Sequence, residues 1–210
     1  MQFQKVIQNR RAVNFFDTEK DVPENLLKHI VETASLTPSS FNLQPWNLIE
    51  VRDQAEKSKL RELAWDQPKV SEAPVILVIL ADRSAWQEEH PVFEKNFHEL
   101  TQAGYMKQEQ RQWLIGACDN LYGKNDESKQ AFACKNAGFF AMSIMLAAKD
   151  VGLDTHPMDG FDHEAVKQYL NIPEEYWIPL LLAVGYFRED KELLPPKWRK
   201  SYEEIKVSFK

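Results

Sequence analysis

Residues 74–81, Pro-Val-Ile-Leu-Val-Ile-Leu-Ala, are the stretch that decides the fold. The run is continuously apolar and rich in β-branched side chains, which is typical of a strand covered on both faces. Residues 177–187, Trp-Ile-Pro-Leu-Leu-Leu-Ala-Val-Gly-Tyr-Phe, repeat this pattern and predict a second buried strand. Because helical patterns lie between and around these strands, the chain is predicted to be an α+β protein.

The longest helical pattern covers residues 126–150. Its segment 137–148 is apolar nearly all round, so we expect this helix to be central or part of a subunit interface. Asp53 and Glu56 have the spacing of a capping box and predict the start of another helix. The other predicted elements are helices over 3–9, from Pro23 to a stop at Thr37-Pro38 and over 162–170, and a strand over 46–51.

The 210 residues fit one domain, spanning 1–210, without repeats or an obvious linker. Residues 84–125 are polar, charged and aromatic, and we expect them to form a peripheral insertion of one or two helices outside the main core. Residues 156–160 are expected to form a loop. Residues 188–210 are charged and contain Pro195-Pro196, which predicts an extended tail that lies on another surface.

Composition excludes several classes of function. The chain has 26 Lys and Arg against 32 Asp and Glu, a net charge of −6, which is a poor basis for binding nucleic acid. The 7 glycines form neither a dinucleotide-binding fingerprint nor a phosphate-binding P-loop. The 2 cysteines indicate no disulfide framework or zinc site. No leader is evident and the most apolar stretch, 136–148, is shorter than a membrane span, so we expect a cytoplasmic protein without a membrane partner.

Three segments carry more hydrogen-bonding groups than a fold requires. Arg10 and Arg11 end the first helix and offer either a fork of donors for a phosphate or a solvated basic helix end. The loop over 38–46 either presents polar side chains to the edge of a flat heterocycle or is a turn that stops a helix. In 156–160, Gly160 allows close approach of a backbone N–H to a ligand, unless the segment is an ordinary turn.

Taken together and in this order, these segments resemble the nitroreductase family of FMN-dependent oxidoreductases. The matching features are an Arg-Arg pair followed by Phe, a Pro-Ser-Ser-x-Asn-x-Gln-Pro-Trp loop, an Ala-Pro-Val strand, a Pro-x-Asp-Gly-Phe turn and a late basic pair. The resemblance covers nearly the whole chain, and the serine-containing loop is its most specific part. It implies a nitroreductase-like fold, with a central, mostly antiparallel sheet flanked by helices, and an intertwined homodimer in which residues 188–210 lie over the partner subunit.

The resemblance also implies two FMN sites at the dimer interface, each built from both chains. Four cations would hold the phosphate and ribityl side, the serine-containing loop would come from the partner chain, and the Asp159-Gly160 turn would place a backbone N–H near flavin N5. No side chain is expected to be catalytic or to bind a metal. The residues implied to bind the cofactor are Arg10, Arg11, Ala12, Asn14, Ser39, Ser40, Asn42, Gln44, Gln67, Lys69, Met158, Asp159, Gly160, Lys197 and Arg199.

Two positions depart from the family pattern. Many members carry a basic residue where this chain has Asn14, and a neutral donor should stabilise a reduced anionic flavin less, by about 1–2 kcal/mol. Lys69 is a candidate for the compensating charge. Ala12, often Ser in the family, removes one hydroxyl from the phosphate side.

The activity implied by the resemblance is a ping-pong transfer of hydride from NAD(P)H, through FMN N5, to a nitroaromatic, quinone or related small-molecule acceptor. Two alternatives stay open. The enzyme could be a flavin reductase or reduce a different acceptor, such as a pterin, a halogenated aromatic or an enoate, or the chain could bind flavin without turnover.

Several other side chains have two interpretations. Glu94 and His98, four residues apart, fit a solvated helical face better than a metal site. His156 is either near substrate or a structural contact, and Cys134 is expected to be a small core residue. The aromatic side chains that are candidates either for a lid or for the core are Phe93, Phe97, Tyr105, Trp113 and Tyr122.

Overall fold

A four-stranded antiparallel sheet lies at the centre of the computed structural model, which describes residues 2–209. The strands are Trp46–Val51 (β1), Val75–Asp82 (β2), Asp154–Met158 (β3) and Tyr176–Gly185 (β4), and their order in the sheet is β1-β2-β4-β3. Each pair of neighbours is antiparallel. The predicted α+β class and the mostly antiparallel sheet are confirmed.

Helices cover both faces of this sheet. They are Phe3–Asn9 (α1), Glu24–Ala34 (α2), Gln54–Leu63 (α3), Pro68–Glu72 (α4), Pro91–Gln102 (α5), Arg111–Tyr122 (α6), Asp126–Asp150 (α7), His163–Tyr169 (α8) and Tyr202–Ile205 (α9). Short 3-10 turns occupy Ser40–Asn42 and Gln108–Gln110. The predicted cap at Asp53 is present, because its side chain accepts hydrogen bonds from the backbone N–H groups of Ala55 and Glu56.

Strand β2 divides the core into two layers because every one of its residues is buried. Val75, Leu77, Ile79 and Ala81 face the layer that contains α2 and α7. The alternate residues Ile76, Val78 and Leu80 face the layer that contains α3 and α8. This two-sided burial is the physical reason for the unbroken apolar run over 74–81.

Helix α7 has the bounds predicted from the sequence and is the main helix of the first layer. Phe140 stacks on Trp46 with ring centroids 5.1 Å apart, which ties α7 to β1. By length and composition alone α7 could cross a membrane, since its apolar character extends beyond the 136–148 stretch, but half of the window that meets this test is buried inside the protein. In this fold it is a core helix.

The structure corrects two sequence predictions. Residues 154–158 form edge strand β3 rather than part of a loop; the run is short and contains Pro157, which an edge position tolerates. Residues 84–125 do form helices, but not outside the main core: Phe93 and Phe97 of α5 and Leu114 of α6 are buried in the same layer as α7. The segment is polar on average, and this average hides the few apolar residues at helical spacing that are buried.

Residues 188–209 form the predicted extended tail, interrupted by the single turn of α9. Its apolar side chains Leu194, Trp198, Ile205 and Phe209 are exposed. Exposed apolar groups of this number mark a surface suited to an interaction.

Candidate functional site

The first half of the site lies where the chain leaves α1. Residues 12 and 13 run beside edge strand β3: Ala12 bridges Thr155, and the backbone N–H of Val13 donates to the Thr155 carbonyl over 3.2 Å. The guanidinium of Arg11 donates to the Leu194 carbonyl over 2.6 Å, which holds the tail against this segment. The two basic pairs of the sequence are therefore brought together.

The basic side chains brought together here form no ion pair with an acidic residue in the described part of the chain. The pKa of Arg10 is lowered, first by burial and then by the positive charges of Arg199 and Arg11. Among residues 2–209, no carboxylate forms an ion pair with Arg10, Arg11, Lys69, Lys197 or Arg199, although the charge of Glu72 opposes the lowering of the Lys69 pKa by burial. The five other arginines of the chain all have acidic partners. Mutual repulsion without a counter-ion is the electrostatic signature of an anion site.

His156 lies beside this cluster. Its Nδ1 is 2.8 Å from the Val13 carbonyl, so Nδ1 carries the proton and donates it, and Nε2 is left as an acceptor. Burial and the charge of Lys69, with a smaller contribution from Lys197, lower the pKa of His156 to about 4. The histidine is neutral at pH 7 and makes the structural contact with Val13. Because the charges of Lys69 and Lys197 act on His156, these two lysines lie at the same site.

The turn after β3 forms the next part of the site. Met158 is buried, Asp159 is exposed, and the Gly160 carbonyl accepts a 2.8 Å hydrogen bond from Nε2 of Gln67. A Cβ on Gly160 would lie 2.7 Å from the ring of Trp65, so a larger residue here requires the indole to move. Two of the residues implied to bind the cofactor, Gln67 and Gly160, are therefore neighbours in the fold.

The sequence reasoning missed Trp65. Its side chain is 76% exposed, and both Trp65 and Asp66 have positive φ, at 53° and 51°. The ion pair between Arg61 and Asp66 holds this turn, which presents the indole against Gly160. Trp65 lies two residues before Gln67 in the sequence, but nothing local indicated that its side chain would pack on a glycine almost a hundred residues away.

The second half of the site is the loop over residues 39–44. Phe41, Asn42 and Gln44 all have left-handed backbone conformations, with φ of 49°, 57° and 42°. The Ser39 hydroxyl accepts from the backbone N–H of Gln44 over 2.9 Å, and Lys135 donates to the Ser40 hydroxyl over 2.9 Å. Several polar groups that were expected to face a heterocycle thus also hold the loop in shape.

The two halves are separate within one chain. The loop over 39–44 is hydrogen-bonded to α5 and α7, whereas the cationic cluster lies against β3, α4 and the tail. Within residues 2–209, no hydrogen bond or ion pair links the two. Asn14 and Ala12 lie next to the cluster with exposed side chains. The residues brought to the first half are Arg10, Arg11, Ala12, Asn14, Gln67, Lys69, Met158, Asp159, Gly160, Lys197 and Arg199; those of the second half are Ser39, Ser40, Asn42 and Gln44.

The structure also separates the aromatic side chains that had two interpretations. Phe93 and Phe97 are core residues, whereas Tyr105 and Trp113 are exposed and Tyr122 is half-buried. Trp113 and Tyr122 make edge contacts with Phe41, so α6 adjoins the loop over 39–44.

Glu94 and the two cysteines make structural contacts. Glu94 pairs with Arg111, and in the described part of the chain no group of three or more His, Cys, Asp or Glu residues could hold a metal ion. Cys134 packs against the core cluster as expected. Burial raises the pKa of Cys118 to about 11, which makes its thiol unreactive at pH 7.

The fold and the site together define an α+β protein with a cluster of cationic side chains at the edge of its sheet. The chain belongs to the nitroreductase family, whose family model matches residues 7–186. It is 31% identical over 206 residues, 97% of each chain, to MhqN of Bacillus subtilis, a proposed NAD(P)H nitroreductase.

Solved structures share the fold. A proposed nitroreductase of B. subtilis, YdfN, has a TM-score of 0.89 and 28% identity, with 99% of each chain covered. A proposed nitroreductase of Exiguobacterium sibiricum, solved in complex with FMN, has a TM-score of 0.84 and 23% identity, with 99% of this chain and 97% of that chain covered.

Proposed function

We propose that this protein is an FMN-dependent NAD(P)H oxidoreductase that passes electrons to nitroaromatic, quinone or related small-molecule acceptors by a ping-pong mechanism. The observation that carries the proposal is the cluster of Arg10, Arg11 and Arg199 beside edge strand β3, which has no ion-pair partner among residues 2–209. Membership of the nitroreductase family and the NAD(P)H nitroreductase name of a relative support the same activity.

The residues present fit FMN. The cluster supplies forked guanidinium donors that pair with no carboxylate of residues 2–209, which suits a phosphate dianion. Lys197 and Lys69 add positive charge near neutral His156, whose Nε2 is free of a proton. A family member of the same fold has been solved with FMN bound.

When bound, FMN supplies the redox chemistry by taking a hydride from NAD(P)H and passing electrons to the acceptor. The protein then has to bind, orient and tune the group. Arg10, Arg11, Lys197 and Arg199 would hold the phosphate side, and Gln67 fixes the turn that carries Gly160. Lys69 would supply the positive charge that the neutral Asn14 lacks for a reduced anionic flavin.

We propose further that the active form is a homodimer. The loop over 39–44 and the cationic cluster are separate in one chain, so a second copy is needed to bring them to one ligand. The exposed apolar side chains of the tail and the exposed Phe139 and Met142 of α7 are available to bury against a partner. Residues 188–210 then lie over the partner subunit, and the location proposed for the protein is the cytoplasm.

A flavin assay tests this function. The purified protein should be yellow, or bind added FMN, and anaerobic mixing with NADH or NADPH should bleach the flavin absorbance. A colourless protein that takes up no FMN would contradict the proposal. Bleaching no faster than that of free FMN would leave a flavin-binding protein without turnover. A panel of nitroaromatic, quinone, pterin, halogenated aromatic and enoate oxidants against the reduced enzyme identifies the acceptor class.

A further inference from the structure

The loop over 39–44 is held in a conformation that its residues do not favour. Phe41, Asn42 and Gln44 all have positive φ without any glycine. The left-handed region is tolerable for asparagine but is a genuine outlier for a bulky residue such as Phe41. Backbone strain of this kind persists only where surrounding contacts over-determine it.

Asn96 of α5 makes two of those contacts with one amide. Its Nδ2 donates to the Phe41 carbonyl over 2.8 Å, and its Oδ1 accepts from Nδ2 of Asn42 over 3.0 Å. The side chain is buried, with the residue only 5% exposed, so water does not substitute readily for either bond. Donor and acceptor are both needed, a combination that an amide offers and a carboxylate or an alkyl group does not.

Helix α5 is itself fixed to the sheet. His90 caps its N-terminus, with Nδ1 accepting from the backbone N–H of Val92 over 3.2 Å. The other ring nitrogen, Nε2, lies 3.1 Å from the buried Asp82 carboxylate at the end of β2. A continuous chain of contacts therefore runs from β2 through α5 to the strained loop.

A second buried asparagine supports the loop from the neighbouring helix. Oδ1 of Asn136 in α7 accepts from the backbone N–H of Ser40 over 3.1 Å, and its Nδ2 donates to the Phe132 carbonyl over 2.7 Å. Asn136 binds the start of the loop and Asn96 binds its strained centre. The two helices thus hold the loop at different peptides.

We propose that Asn96 is a positioning residue for flavin binding: it fixes the strained Phe41–Asn42 segment so that the loop meets the ring of the cofactor. The inference rests on the proposed function, in which this loop lines the flavin. It gives helix α5, which was expected to be peripheral, an effect on the ring side of the cofactor site that is exerted through the loop over 39–44.

The test compares Asn96→Asp and Asn96→Ala with the wild type in fluorescence titrations of the apoprotein with FMN and with riboflavin. We expect each variant to weaken both ligands by the same factor, about tenfold or more, because a buried carbonyl loses its donor and the loop is freed. An equal loss of affinity for FMN and riboflavin indicates an effect on the flavin ring, since riboflavin has no phosphate.

Asp53→Ala is the matched control. It removes a helix cap from α3, in the other core layer, and lowers stability without a contact to the loop. Flavin affinity of the Asn96 variants should fall well below that of Asp53→Ala when all are compared at equal distance from their thermal midpoints. If Asn96→Asp fails to fold, the comparison is made with Asn96→Ala, which introduces no charge.

The outcomes are separable. Unchanged affinity for both ligands in a folded Asn96 variant, with wild-type protein that binds FMN, would overturn the positioning role and leave the proposed function intact. Weakening no greater than that of Asp53→Ala would also overturn it. A wild-type protein that binds neither FMN nor riboflavin would overturn both proposals.

Discussion

Replacing Arg10 by alanine should have opposite effects on ligand binding and on the stability of the apoprotein. Arg10 lies partly buried with Arg11 and Arg199 nearby and no carboxylate partner among the described residues. A charge-assisted hydrogen bond to phosphate contributes about 1.5–3 kcal/mol, so Arg10→Ala should weaken FMN binding about 10- to 150-fold. Removing a repelled cation should leave the unfolding free energy of the apoprotein unchanged or higher.

The assay measures dissociation constants for FMN and riboflavin by flavin fluorescence, at low and at moderate salt, together with urea unfolding of the apoprotein. The loss should fall on FMN and not on riboflavin, and it should shrink as salt screens the phosphate. Lys28→Ala, on the exposed side of α2, is the control for removal of one positive charge. Equal weakening of both ligands, or unchanged FMN affinity, would refute assignment of the phosphate to this cluster.

Three further predictions follow from particular contacts. Gly160→Ala should weaken FMN binding and destabilise the protein by about 1–3 kcal/mol, because the new methyl group would lie 2.7 Å from Trp65. The control Gly116→Ala has open space around its methyl group and should have neither effect. Normal FMN binding by Gly160→Ala would contradict the assignment of this turn to the cofactor site. The pKa of His156 is about 4 in the fold, below its unfolded value of about 6.5, so the unfolded chain takes up the proton first as pH falls. The unfolding free energy of the apoprotein should therefore decrease from pH 6.5 towards 4, on the order of 1–2 kcal/mol after allowance for partial exposure, and His156→Gln should flatten this dependence in urea titrations. Leu114→Ala in α6 should cost about 2–5 kcal/mol in chemical unfolding, as for any fully buried leucine; a loss near zero would restore the peripheral interpretation of residues 84–125.

Much of the fold could be predicted from local patterns. The run over 74–81 indicated a strand buried on both faces, Asp53 indicated a helix start, and the pattern of 126–150 indicated a long helix that is central or part of a subunit interface. Each of these signals comes from neighbours in sequence, which share one helix or one strand. Strand β3 was missed because five residues that include Pro157 carry little periodicity of their own and become a strand by pairing with β4.

The burial of α5 and α6 could not be predicted for a related reason. Composition averaged over 84–125 is polar, while burial depends on which few side chains, such as Phe93 and Leu114, face the layer of α7. The asparagines that hold the loop were missed as well, because an asparagine in a helix is usually a surface residue. Only the packing of α5 and α7 against residues 39–44 gives Asn96 and Asn136 their partners.

The sequence by itself determined the α+β class, the main strands and helices, and the residue types of the candidate site. The tertiary structure decided what those residues do. It joins Arg11 to Leu194 across 183 positions, brings Gln67 to Gly160 across 93, and sets Asn96 against Asn42 across 54. Contacts of this range depend on how the layers pack, so the cluster of like charges and the loop held in a strained conformation form only when the chain is folded.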